Sequence, residues 1–241
     1  MIDAPALQQL ATRWQTTTLN VAREYCQHLF LRAFYQRDGS ERVLFKGGTA
    51  LRIVYGSPRF SEDLDFSGFG IRPQAIEELL MEALGAVERV GLVLDIEEAK
   101  ATTGGYLGIV HSRWLDYRVA MQLEVSLRSR GSVSPTTALI AGDLLPAYTL
   151  LHLPQEALVE EKVRALLDRG KPRDFYDLYF MLRKGLLPPT RRSLLARVPE
   201  RLRRLKPEAF QELRLFLPKD QQGLTKDFRA RLEQELRRHL A

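Results

Sequence analysis

Phe45-Lys46-Gly47-Gly48-Thr49-Ala50, followed about one short helix later by Asp63-Leu64-Asp65, decides how this chain reads. Arg42-Val43-Leu44-Phe45 is a short apolar strand, and the two glycines break it. With no Cβ, Gly47 and Gly48 let backbone N–H groups come close to a phosphate. Thr49 suits the cap of a short helix through Tyr55 that Gly56 ends, and a helix N-terminus favours anions. Asp63 to Phe69 reads as a second strand, in which Asp63 and Asp65 share one face while Leu64 and Phe66 take the other. Two hard oxygen ligands on one face suit Mg²⁺. Turn and acids together are a means of holding a nucleoside triphosphate and its metals.

Outward from this core, residues 4–36 have no internal Gly or Pro, and Leu7, Leu10, Trp14 and Val21 recur at helical spacing, which predicts one helix. Pro73 opens another helix through Ile76, Leu79, Leu80, Ala83, Leu84 and Val87, and Gly91 stops it. Leu92 to Ile96, Tyr106 to His111 and Arg118 to Leu127 read as strands. The pattern changes around residues 132–135. From about Leu158 onward it is helical, with breaks at 170–172, 185–189 and Pro207, and 217–223 reads as a mobile loop. The expected architecture is α/β (α+β): a mixed-sheet domain over residues 1–135 with an N-terminal helix, then a helical domain over 136–241.

Composition narrows the class. Of 241 residues, 45% are apolar and 27% charged, the balance of a protein with a buried core. The one cysteine, Cys26, excludes an internal disulfide and fits a reducing compartment. No apolar run is long enough for a bilayer span and the first residues lack a basic, hydrophobic signal, so a cytoplasmic protein with no membrane partner is expected. Residues 190–241 carry 14 Lys and Arg against 7 Asp and Glu; the rest carries 22 against 23. Such one-sided charge fits either a polyanion partner or a solvated helical face beside an acidic neighbour.

Further residues could carry chemistry. In the strand around Met121-Gln122-Leu123-Glu124-Val125-Ser126, Glu124 lies on the polar face, where it is either a third metal carboxylate or an ordinary polar residue. Glu97 and Glu98 compete for that role, but their tandem placement resembles a strand end. In Glu160-Glu161-Lys162-Val163-Arg164, Lys162 shares a helical face with Leu166 and Arg169. Asp174 falls in the first turn of the helix after Pro172, where the dipole favours an acid, and Asp177 follows at i+3 on the same face. The pair is either an ordinary set of surface ions or a functional one, with Lys162 as a point charge for phosphate and Asp177 as an orienting group or base. His28, His111, His152 and His239 show no zinc-like spacing. Cys26 reads as core, and Phe175, Tyr176 and Tyr179 fit helix packing better than base stacking.

Three ordered motifs, Phe45 to Arg52, Arg59-Phe60-Ser61-Glu62-Asp63-Leu64-Asp65-Phe66 and Arg173-Asp174-Phe175-Tyr176-Asp177-Leu178, resemble the AbiEii/AbiGii toxin family of nucleotidyltransferases, which includes the MenT toxins of type IV toxin–antitoxin and abortive-infection systems. The resemblance covers roughly residues 40–185. It implies a minimal nucleotidyltransferase mixed sheet with flanking helices and a helical domain closing over the cleft. It further implies that Lys46, Gly47, Gly48 and Thr49 hold the nucleotide phosphates. Asp63 and Asp65, with Glu124 as the weaker third, would bind two Mg²⁺ ions. Lys162 would sit near the triphosphate, and Asp174 or Asp177 would supply the acid of the helical domain. The activity so implied is NMP transfer from an NTP to an acceptor hydroxyl, the 3′ end of tRNA by similarity to the MenT branch, with a cognate antitoxin as partner. Nucleotidylation of a protein or small molecule, or a non-catalytic RNA- or antitoxin-binding module, are the alternatives.

Overall fold

Two helices stand where one is predicted. The computed structural model describes residues 1–128 and 133–240. Helix α1 (Ala4–Arg13) is capped by Asp3, whose Oδ1 accepts from the Ala6 N–H at 2.9 Å. Past its C-cap Trp14 the chain turns at Gln15, which adopts φ +53°, and Thr17 caps α2 (Thr18–Phe34) by accepting from the Asn20 N–H at 3.2 Å. The break needs neither Gly nor Pro, because threonines supply the new cap.

Strand β1 (Val43–Lys46) leads directly into α3 (Gly47–Ile53). Then follow β2 (Leu64–Phe69), α4 (Pro73–Arg89), and three long strands, β3 (Val93–Thr102), β4 (Gly105–Trp114) and β5 (Tyr117–Arg128). Two strands that the sequence did not suggest, β6 (Thr136–Ile140) and β7 (Tyr148–His152), complete a mixed seven-stranded sheet of order β3-β4-β5-β2-β1-β7-β6. Parallel pairings join β2 to β5 and β1 to β7, and the other neighbours are antiparallel.

One face of the sheet is aromatic and closed. Phe45 on β1 and Phe66 on β2 lie 5.5 Å apart, and Phe34 of α2 meets Phe66 at 5.5 Å. Helix α4 buries Ile76, Leu79, Leu80, Ala83, Leu84 and Val87, the stripe read from its period. Cys26 is fully buried in α2, and burial pushes its thiol up to about 11.

The chain forms two compact units: residues 1–56 with 60–153, and residues 57–59 with 154–241. Residues 136–152, grouped by pattern with the helical half, belong to the sheet. Phe45 pairs with His152, and the Leu153 N–H donates to the Phe45 carbonyl at 3.0 Å. Short strands between Pro135, Gly142 and Pro146 carry too little period to be read. The change of pattern at 132–135 falls partly on residues 129–132, outside the described residues.

The second unit contains α5 (Gln155–Arg169), α6 (Pro172–Arg183), α7 (Val198–Arg203) and α8 (Phe228–Leu240), linked by 3-10 segments; the predicted loop at 217–223 largely falls in one of them, Lys219–Lys226. Its centre is an aromatic knot. Phe228 lies 4.7 Å from Phe210, 5.4 Å from Tyr179 and 6.1 Å from Tyr176, with Phe175 6.1 Å from Phe210. The side chain of Arg201 closes the C-terminus of α5 by donating to the Asp168 carbonyl at 3.0 Å beside Gly170, whose φ is +61°. Replacing Phe228 by Ala empties this knot and is expected to cost roughly 3–5 kcal/mol; a shifted denaturant midpoint with unchanged slope will report it.

Candidate active site

Strand register assembles a row of charged side chains on the sheet. Lys46, the last residue of β1, pairs with Asp65 of β2, and Asp65 pairs with Glu124 of β5. Register partners project to the same face, so Lys46, Asp65 and Glu124 form one row, opposite the face of Phe45, Phe66 and Val125. Ser67 and Ser126 form the next row, and Lys46 Nζ donates to Ser126 Oγ at 3.4 Å. Glu97 and Glu98 stay on edge strand β3, where Glu97 meets His111 at a bulge and Glu98 meets Lys100. Glu124 is therefore the glutamate that stands beside Asp65.

The Gly-Gly turn lies against this row. Gly47 adopts φ +84°, and a Cβ there would stand 2.1 Å from Asp65 Oδ2, so no other residue lets the turn approach that carboxylate. Gly48 is buried in the same turn. Thr49 has a different task from the expected cap: Lys46 occupies the cap position, and Thr49 is fully buried inside α3 with its hydroxyl donating to the Asp63 carbonyl. It fastens α3 to the residue just before β2.

Residues that the sequence did not single out hold the other end of α3. Arg52 donates to Glu24 of α2 at 2.9 Å, and its guanidinium lies 3.9 Å from the Phe60 ring centroid and 5.7 Å from that of Trp14. Burial pushes the Glu24 carboxyl up in pKa, against the pull of Arg52. Gln27 donates to the carbonyls of Ser61 and Glu62, both at 3.0 Å. Glu24 and Gln27 are polar residues at i, i+3 among the apolar positions of α2; that contrast was the available signal.

The second unit holds its own cluster. Asp177 of α6 is 1% exposed and takes three charged donors: Arg59 Nε at 2.9 Å on Oδ1, Arg59 Nη2 at 3.1 Å on Oδ2, and Lys162 Nζ of α5 at 2.7 Å on Oδ2. Burial pushes the carboxyl up, but Arg59 and Lys162 outweigh it and hold it below the ordinary range. A carboxylate so enclosed holds its two cations in place. Arg59 lay inside a recognised motif but carried no assigned role. Asp174 is a different kind of residue: it accepts from the Lys171 N–H at 3.1 Å and from Arg169 at 2.7–3.1 Å, as an acid in a first helical turn does.

Among the described residues no three His, Cys, Asp or Glu side chains are spaced to hold a metal ion by themselves. Asp65 and Glu124 are nonetheless adjacent hard oxygen donors, with Asp63 just before β2. Such a set fits a cation that takes its remaining ligands from substrate phosphates and water.

A mixed sheet with a Gly-Gly turn against its acidic face defines a nucleotidyltransferase-like α/β protein, and solved structures share the fold. JHP933 from Helicobacter pylori superposes with a TM-score of 0.64 at 21% identity, covering 91% of this chain and 93% of that one. MenT4, a nucleotidyltransferase toxin from Mycobacterium tuberculosis H37Rv, gives 0.60 at 18% identity, covering 100% and 89%. An uncharacterized protein of Aquifex aeolicus (strain VF5) is 27% identical over 158 residues, 62% of this chain and 66% of that protein, just under two thirds of its length. Residues 29–239 match the profile described as the nucleotidyl transferase AbiEii toxin of type IV toxin–antitoxin systems, and the chain belongs to that family.

Two substitutions test this geometry. Gly47→Ala carries a left-handed backbone cost of roughly 1–2 kcal/mol and displaces the Asp65 carboxylate; a thermal melt will read the first effect. Asp177→Asn leaves Arg59 and Lys162 buried without a counter-charge and is expected to cost roughly 3–5 kcal/mol at pH 7. Because the folded-state pKa of Asp177 is depressed, its ion-pair contribution is full above the unfolded value of about 3.9 and is lost as pH falls through the folded value. Denaturant titrations at pH 7 and pH 3 should therefore show the gap between parent and Asp177→Asn narrowing in acid.

Proposed function

We propose that this chain transfers an NMP from an NTP to an acceptor hydroxyl, that the acceptor is the 3′ end of tRNA, and that Mg²⁺ serves the reaction. The observation that carries the reading is the row Lys46–Asp65–Glu124 with the Gly47 backbone pressed against Asp65. In the reaction the acceptor oxygen bonds to the α-phosphorus, the bond from that phosphorus to the β-phosphate oxygen breaks, and pyrophosphate leaves. The acceptor proton passes to a carboxylate of the row. Lys46 offers positive charge to the phosphates, and Gly47 and Gly48 offer backbone N–H groups without side chains in the way. Asp63, Asp65 and Glu124 would hold Mg²⁺, which when bound neutralises phosphate charge and polarises the attacking oxygen. Within the second unit, Asp177 fixes the two cations Lys162 and Arg59 by charge-assisted hydrogen bonds.

The basic surplus of residues 190–241 supports an RNA acceptor. MenT4 bears the name of a nucleotidyltransferase toxin, which supports the same chemistry here. A cognate antitoxin is the expected partner of a type IV toxin. No helix among the described residues is long and apolar enough to cross a membrane, and with one cysteine we place the protein in the cytoplasm.

The test is incubation with each labelled NTP, Mg²⁺ and either purified tRNA, total RNA or no RNA. Label is expected on tRNA, and Asp65→Asn is expected to lower the rate at least ~10²-fold, the loss typical when a group that handles the proton is removed. Label on protein or on a small molecule, with none on RNA, would replace the tRNA reading; undiminished transfer by Asp65→Asn would remove the mechanism.

A further inference from the structure

We infer that a cavity of about 410 Å³ beside Glu124 is a nucleoside pocket, and that Gln122 reads the base placed in it. The inference rests on the nucleotidyl-transfer reading for its reaction, but its geometry is separate. Gln122, Glu124 and Ser126 from one face of β5, Leu107 from β4, and Thr102 and Gly104 from the β3–β4 turn line the cavity. Its size falls in the range of small-molecule sites. Gly104 borders the cavity without a side chain, and a Cβ there would meet nothing within 4 Å.

The lining is chemically specific. Leu107 is half-buried and supplies an apolar wall for a ring. Among the described residues, the half-buried Gln122 amide and the Thr102 hydroxyl have no hydrogen-bond partner. An amide offers donors and an acceptor in one plane, the pattern that pairs with a base edge. The lining combines an amide, hydroxyls and an apolar side chain with no Lys or Arg among the described residues that form it, which suits a neutral base with its ribose. Ser126 accepts from Lys46 Nζ at 3.4 Å, so the lysine offered to phosphate lies at the border of the cavity. Glu124 is both a wall of the cavity and the register neighbour of Asp65, which sets the base and the reacting phosphate on one sheet face.

The base can come from the incoming NTP or from the terminal nucleotide of the acceptor, and two arms separate these. In one, kcat/KM is measured for the four NTPs on a fixed acceptor. In the other, the NTP is fixed and the acceptor ends in A, C, G or U. Gln122→Leu, checked by thermal melt, is expected to reduce the preference in one arm at least ~10-fold, the discrimination typical of a bidentate base contact. Thr102→Val, on the exposed rim, serves as the second variant should Gln122→Leu fail to fold. Unchanged preferences in both arms would overturn the pocket. Equilibrium binding of the four nucleotides, and of short RNAs with the four ends, needs no turnover. If the parent transfers nothing yet binds with a Gln122-dependent preference, the reaction reading fails and the pocket stands. If no nucleotide or RNA end binds with such a preference, the pocket fails.

Discussion

Everything proposed for the sheet face depends on the register of β1, β2 and β5. Side chains alternate along a strand, so a slip of one residue in β2 would carry Asp65 to the aromatic face and Phe66 to the polar one. The slip is opposed from below. Phe45, Phe66 and Phe34 fill one layer, and inserting a carboxylate there would bury a charge without a partner. The hydrophobic core therefore does more than stabilise: it selects which three strands present Lys46, Asp65 and Glu124 together.

Register alone does not place the turn. Helix α3 has only seven residues, too few to be stable by itself. Side-chain contacts fix it at both ends: Thr49 bonds the Asp63 carbonyl, and Arg52 bonds Glu24 while lying over Phe60. The Asp63 and Phe60 contacts join α3 to the chain that enters β2, and the Glu24 bond joins it to α2. In the second unit the same logic acts through charge. Asp177 brings a guanidinium and an ammonium together in a buried place, an arrangement that neither cation would adopt without it.

Local signals explain what could be read in advance. Gly-Gly-Thr, Asp-x-Asp and the alternation around Glu124 each involve residues within a few positions, and their placement at the start of α3, at the start of β2 and on β5 follows from period and turn chemistry. The split of the first helix escaped because threonine capping leaves the apolar period intact. Strands β6 and β7 escaped because each has only five residues, too few to show a period, and the pairing of β7 to β1 is long-range. Arg59, Glu24 and Gln27 escaped for the same reason: each finds its partner far along the chain, and a lone polar residue in a core-facing position names no partner. Thr49 departs from the expected cap because a cap and a buried staple use the same residue type.

The basic surplus changes meaning once its side chains are placed. Arg201 and Arg229 donate to backbone carbonyls, Arg183 and Arg238 share Glu235, and Arg191 lies within 3.9 Å of Glu156 and Glu160. These arginines hold helices together, so a count of charges overstates what a polyanion would meet. Arg192, Arg197, Lys206, Arg214, Lys219 and Arg237 are exposed, and among the described residues their side chains have neither ion pair nor hydrogen bond. Long side chains that nothing folds back are free to release counterions when a phosphate backbone approaches, and that release is the source of salt-dependent affinity for nucleic acid. The RNA reading thus rests on this smaller set, and on its contrast with the neutral balance of the residues that precede it.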